Sequence, residues 1–377
     1  MALNKSISGS VRIPRVYCDL ISYAKAIGHV KHIVSFNTTG DPLSAWDFNP
    51  AKITTYSGKD GMNYMAWGIR FNNYPFFDNP IDRQFGNLLS TINYFGALGH
   101  NFGLAAGGNI DYARIGLQGG QGTLEEGDFY ADSIYSNGYE AIVGNFKPNN
   151  DLGYSLYKLT GGENGEFAQS DKIDTLVVYV YKDGGEDFSD EDTLDIGTWT
   201  VGRYFDFPHS ANLSMNIKYD ADGIRSKRTV GGSDLTDIAY TKPKWGNLPA
   251  WTNINLDDYV DNNSAPEFEN YSNVTYRGRR TWDLTFSFLS ATDTFTTDMF
   301  SNMSGDYSSS NGGTFDQNDS IVGSFLTFTL NGQIPFLFQP DSTKQDIVMA
   351  KLKSNSLSIQ QTAPSLYTAK MSFVEVW

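Results

Sequence analysis

Cysteine is almost missing from this sequence of 377 residues. Cys18 stands alone, so no disulfide can form within the chain and folding requires no oxidising compartment. Histidine is nearly as scarce, with four residues: His29, His32, His100 and His209. No run approaches the roughly 18 apolar residues that a membrane-spanning helix needs, so membrane insertion is not expected. The opening MALNKSISGSVRIPRVY lacks the apolar stretch and cleavage pattern of a secretion signal, which leads us to expect synthesis in a cytoplasm. The sequons at Asn37, Asn273 and Asn302 then read as chance matches. Basic charge is also short: 28 Lys and Arg face 43 Asp and Glu, for a net charge of −15. Nucleic acid draws its affinity for proteins from basic side chains on phosphates, so no nucleic-acid partner is expected. Arg277, Arg279 and Arg280 do cluster in YRGRR, which reads as a solvated turn or a rim paired to an acidic neighbour.

Aromatic residues are abundant. They make up 14% of the chain, led by 25 Phe and 22 Tyr, beside 37 Gly and only 13 Pro. Aromatic side chains suit half-buried pleated surfaces, and glycine supplies the turns between strands. The expected fold is therefore mainly β. The length is sufficient for two or three domains, each with a core of its own.

No repeat at solenoid or propeller periods is present. Three breaks divide the chain: the acidic run 183–192, the Pro/Asn-rich passage 242–273, and a Ser/Asn/Gly/Asp stretch near 301–320 that reads as a mobile loop. We place one region at 1–195, with a short helix near 19–28, and a second at 196–377. Asp19 can cap that helix, and Gly28 suits its end. A second helix is expected over 319–330, where Ile321, Val322, Phe325 and Leu326 recur at helical spacing, although the same residues fit a strand.

Strands are marked by alternation. Leu213, Met215, Ile217 and Tyr219 alternate with polar neighbours, and Asp222-Gly223 suggests a hairpin turn into 224–230. Ile173–Val180 reads as a more fully buried strand. Trp282, Leu284, Phe286 and Phe288 alternate with Asp283, Thr285 and Ser287. Burying each large apolar side chain is worth about 1.5–3 kcal/mol, so this strand must lie under a sheet or a helix. Phe336 and Phe338, with Met371 and Phe373, complete the expected core of the second region.

Catalytic chemistry finds little support. His29 and His32 have a metal-compatible spacing but no acidic or Cys ligand close in sequence. His100 reads as a packed, hydrogen-bonded histidine at a strand end. Glu125, Glu126, Asp128 and the 183–192 run could supply paired carboxylates for glycoside hydrolysis, but acidic loop tips are usually just solvated. Tyr219–Gly223 holds part of a calcium loop without its later ligands, and the glycines at 103–108 and 116–122 fit neither phosphate-binding fingerprint. No catalytic, metal or cofactor residue is assigned, and the chain is not expected to be an enzyme.

Two blocks carry a resemblance. One is Gly202-Arg-Tyr-Phe-Asp-Phe-Pro-His-Ser-Ala-Asn-Leu-Ser214. The other joins Arg279-Arg-Thr-Trp-Asp-Leu-Thr-Phe-Ser-Phe288 to Ile334-Pro-Phe-Leu-Phe-Gln-Pro-Asp341 and Ser372-Phe-Val-Glu-Val-Trp377. Their order over roughly 200–377 resembles the tail-tip and baseplate structural proteins of tailed bacteriophages, of the distal-tail kind. That resemblance implies a tail-tube-like domain of two crossed antiparallel sheets with a flanking helix. It also implies a homo-oligomeric ring, other phage tail proteins as partners, and a place in the virion tail. In the front half, Asn93-Tyr-Phe-Gly-Ala-Leu-Gly-His-Asn-Phe102 is similar to a strand end of phage jelly-roll sandwiches. Such sandwiches often resemble carbohydrate-binding modules, so a receptor-binding fibre or adhesin is the alternative. A host surface glycan would then stack on Trp46 or Trp67, whose default place is nonetheless the core.

Overall fold

The computed structural model describes residues 13–71, 92–102, 113–120, 141–146, 153–159, 175–182, 187–212, 216–220, 224–238, 279–295, 320–343, 347–354 and 357–376. The fold is mainly β, with several antiparallel sheets in a sandwich-like arrangement. The loop expected near 301–320 lies outside the described residues except for Ser320.

The largest sheet is a path of nine strands. In spatial order these are β13 (Asn216–Asp220), β16 (Arg279–Ser290), β20 (Leu366–Glu375), β18 (Val348–Leu352), β17 (Phe336–Gln339), β1 (Arg15–Asp19), β12 (Thr198–Asp206), β6 (Tyr94–His100) and β9 (Gly153–Lys158). Every neighbouring pair is antiparallel. A tenth strand, β19 (Ser358–Ala363), pairs with the remaining length of β20. The second sheet runs β2 (Val30–Phe36), β5 (Met65–Phe71), β10 (Thr175–Lys182), β7 (Ala113–Gly120) and β8 (Ala141–Phe146). A small sheet joins β11 (Thr193–Ile196), β4 (Thr54–Gly58) and β3 (Thr38–Thr39), and β14 (Ile224–Arg228) forms a ribbon with β15 (Asp234–Ile238).

The two large sheets share one core. Trp67 of β5 meets Trp199 of β12 with ring centroids 5.5 Å apart, and Phe95 and Phe102 stack near the same indole. The expected boundary at 195/196 is crossed by this architecture. β1, from the start of the chain, lies between β12 and β17 and pairs with both. Its register sets Gly202 opposite Asp19, where a Cβ would collide with the Cys18 carbonyl, so the close approach requires glycine. The hairpin expected from 213–219 into 224–230 is replaced by two separate pairings, β13 with β16 and β14 with β15. Asp222 and Gly223 lie outside the described residues.

The helices follow their local chemistry. Helix α1 (Leu20–Ala26) begins at Asp19, whose carboxylate accepts the Ser22 backbone N–H at 2.7 Å. Gly28, at φ +77, lets the chain leave its end. Helix α2 (Ala291–Thr294) carries a reciprocal capping box between Ser290 and Asp293. The expected second helix is present as α3 (Ile321–Leu326), with π-helical geometry and a Ser320 cap. Its Phe325 packs edge-on against Phe336 and Phe373, so α3 flanks the C-terminal strands as expected.

Candidate functional site

Seven of the expected core residues come together. Trp282, Leu284, Phe286, Phe336, Phe338, Met371 and Phe373 are buried in one cluster. Trp282 meets Phe338 edge-on at 5.3 Å, Phe373 meets Phe338 at 4.8 Å and Phe336 at 5.1 Å, and Phe286 stacks on Phe207 at 4.6 Å. Even-numbered residues of β16 face this core because side chains alternate along a strand.

Phe288 breaks that pattern and is not a core residue. It is 79% exposed. β16 and β20 pair in register at Phe286↔Ala369 and again at Leu289↔Tyr367, so two residues of β16 stand opposite one of β20. This bulge shifts the alternation by one, and Leu289 takes the buried position instead. Phe288 sits there at φ +65, a left-handed conformation that is unfavourable for a bulky residue. Such a conformation costs on the order of 1–3 kcal/mol and persists only where the surroundings impose it.

The bulge lies past the end of the β13 pairing. β13 pairs with β16 only from Arg279 to Asp283, although β16 continues to Ser290. Past that point the Asn212 backbone N–H donates to the Thr285 carbonyl at 2.8 Å, and the Asn212 amide donates to Ser287 Oγ at 2.9 Å. Among the described residues no strand lies along this side of β16 beyond them. Two of the exposed large apolar side chains, Phe288 and Ile217 of β13, mark this end of the sheet.

The other sequence candidates resolve into structural roles. Trp46 and Trp67 are fully buried, and Trp67 packs between Tyr56 and Trp199. Neither offers a face to a sugar, because their apolar surface is used by the core. His100 is buried, shares a 2.8 Å hydrogen bond with Ser155 Oγ and stacks on Phe102 at 4.3 Å. Burial pushes its pKa down to about 3, so it stays neutral. No group of three or more metal-ligating side chains occurs among the described residues, which leaves His29 and His32 without a third ligand there. Asp192 of the acidic run is held by Lys182 at 2.7 Å and by the Ser189 N–H, which lower its pKa despite burial. Glu125, Glu126, Asp128 and Arg277 lie outside the described residues. Arg280 is buried against Glu375, not presented to a polyanion. Burial pushes the Cys18 thiol well above its ordinary value, which suits a packed and unreactive group.

Comparison with known proteins adds little. No protein-family model and no curated protein matches the chain. Among solved structures it is similar to a CBM32 module of a family 31 glycoside hydrolase from Clostridium perfringens. The identity is 11%, over 46% of this chain and 95% of the module, with a TM-score of 0.21. A likeness that low carries no argument about ligand or role.

Proposed function

We propose that this chain is a structural component of a bacteriophage tail or baseplate, which oligomerises through the edges of its large sheet and connects tail parts in the virion. The observation that carries the reading is that the sheet ends on one side in β13, which pairs with β16 and with no second strand among the described residues. Unpaired N–H and C=O groups on an edge strand are a template for another chain. The order of the C-terminal elements, with Phe325 of α3 packed on the strand aromatics, supports the same reading.

Nine strands, each antiparallel to the next, leave β13 and β9 running in the same direction. Head-to-tail contacts between copies generate a ring where the rotation from one copy to the next closes, and an open filament where it does not. A two-fold contact of β13 with itself is antiparallel and stops at a dimer. Sedimentation velocity of the full chain, with imaging of tail particles, tests the proposal. Cyclic oligomers and density for the chain in the tail are expected. A strict monomer that never enters particles ends the proposal.

A further inference from the structure

We infer that the lysine-bearing outer face of β16, β20 and β18 docks the acidic tip that Asp60, Asp187, Asp190 and Glu191 form on a second copy of this chain. The inference rests on the assembly reading above and gives it a contact between opposite charges.

The strand registers collect the lysines. Met371 and Phe373 of β20 are buried in the aromatic core, so Lys370 and Ser372, one position off, belong to the opposite face. Lys370 stands opposite Thr285 of β16 and Ser358 of β19. Lys351 of β18 stands opposite Val374, and two residues on, the Lys353 backbone N–H donates to the Ser372 carbonyl at 2.8 Å. Lys218 of β13 lies 3.9 Å from Asp283 of β16, and that carboxylate also accepts the Ser372 hydroxyl at 2.6 Å. Four lysines thus gather about one carboxylate. Lys218, Lys353 and Lys370 are exposed, and Lys351 is half-buried. Lys351, Lys353 and Lys370 have no ion-pair partner among the described residues. In a chain of net charge −15, so basic a face is complementary to the rest of the molecule.

The opposite charge is concentrated elsewhere in the fold. The Asp60 backbone N–H donates to Asp190 Oδ1 at 3.0 Å, and Met62 bridges to Phe188, so the turn between β4 and β5 lies against residues 187–192. Asp60, Asp187, Asp190 and Glu191 are exposed there. Lys59 adjoins them, and Lys182 is already paired with Asp192 at 2.7 Å, so the tip keeps an excess of negative charge. β11 leads from this tip and is tied at Asp195 to Asn101, just past β6. In the large sheet β6 is separated from β18 by β12, β1 and β17, about 19 Å at the ordinary strand spacing. The two patches of one molecule are therefore held apart and can meet only between copies. A contact between different patches of identical chains is head-to-tail, the kind that builds rings or filaments. Local complementarity of this sort fixes which surfaces meet, even between copies whose net charges repel.

The experiment measures self-association of the full chain by sedimentation velocity over a concentration series, with thermal melts. A face variant carries Lys351→Glu, Lys353→Glu and Lys370→Glu, and a tip variant carries Asp60→Lys, Asp187→Lys and Glu191→Lys. None of these six side chains is buried, so both variants should melt near the wild-type temperature. Each variant alone should associate roughly a hundredfold less tightly, and wild-type association should weaken as salt rises to about 0.5 M. Mixing the two variants should restore association, because each reversed patch then meets its complement. If the face variant does not fold, Lys351→Gln, Lys353→Gln and Lys370→Gln together remove the charges without reversing them and should weaken association about tenfold. Wild-type association in both variants, or a mixture no tighter than its parts, would overturn the inference and leave the assembly reading intact. Heparin binding that the face variant loses, in a chain that does not self-associate, would assign the lysines to a polyanion and overturn it as well. A wild-type chain that is monomeric alone yet present in tail particles would overturn the second copy as occupant. A monomer absent from particles would remove both readings.

Discussion

Arg280 and Glu375 form an ion pair inside the C-terminal core, with Nε and Oε2 separated by 3.1 Å and side chains only 3% and 6% exposed. The same carboxylate accepts the Arg280 backbone N–H at 3.0 Å, and the guanidinium lies 5.0 Å from the Trp282 ring centre. The pair thus locks β16 to the end of β20, where β18 also joins.

Removing Glu375 takes away the buried carboxylate that Arg280 faces, in a site closed to water. Glu375→Ala should lower stability by about 3–5 kcal/mol, read as a lower midpoint in guanidinium unfolding. Replacing both partners with apolar residues, as Arg280→Met with Glu375→Leu, should recover most of that loss. A single variant that unfolds with the wild type would show that the pair is solvated in solution.

Phe286 and Phe288 are two residues apart and should respond oppositely. Phe286→Ala removes a ring stacked 4.6 Å from Phe207 and opens a cavity, so about 3–5 kcal/mol of stability should be lost. Phe288→Ala removes a ring that touches mainly water in the isolated chain, so stability should stay within about 0.5 kcal/mol. Equal losses at the two positions would mean that the bulge is absent.

The contrast marks how far the sequence could be read. Alternation placed Trp282, Leu284 and Phe286 on the buried face because the period of a strand is fixed by its backbone. It misplaced Phe288 because a bulge is set by tertiary pairing, and only one local sign existed: Phe288 and Leu289 are adjacent and apolar, so both cannot face the core. The α1 cap was legible in Asp19, and the neutral role of His100 in its apolar surroundings. The pairing of β1 with β12 and β17 was not, since contacts between residues some 190 and 320 positions apart leave no periodic trace. That hidden connection is why a break at 195/196 looked plausible. Trp46 and Trp67 carried no sequence mark separating a stacking platform from a core indole, and burial decided it.

His100 should make stability depend on pH. Burial lowers its pKa to about 3 from the ordinary 6.5, so the unfolded chain binds a proton that the folded chain refuses. The contribution is complete above pH 6.5 and is lost as pH falls toward 3, at up to about 1.4 kcal/mol per pH unit. His100→Gln keeps a hydrogen-bonding group near Ser155 and cannot titrate. The stability difference between wild type and His100→Gln should therefore shift in favour of the variant between pH 7 and 4. Parallel unfolding curves across that range would mean that the imidazole is solvated.

Asp19 ends β1 and begins α1, and its carboxylate serves both elements and β12. One oxygen accepts the Ser22 N–H and hydroxyl, each at 2.7 Å, while the other accepts the Thr200 hydroxyl at 2.9 Å and the Val201 N–H at 3.3 Å. Four donors and no competing acceptor make a shape that alanine cannot satisfy. Asp19→Ala loses the helix cap, worth about 0.5–2 kcal/mol, and also strands buried donors on β12 at about 1–3 kcal/mol. The two losses are coupled through one side chain, so they should appear together. Hydrogen exchange resolves them: the Ser22 and Val201 amides should both exchange faster in the variant, while the Trp282 amide in the distant β16 is unchanged. Acceleration at Ser22 alone would show that the carboxylate caps the helix without holding β12, and the central position of β1 would then rest on its strand pairing.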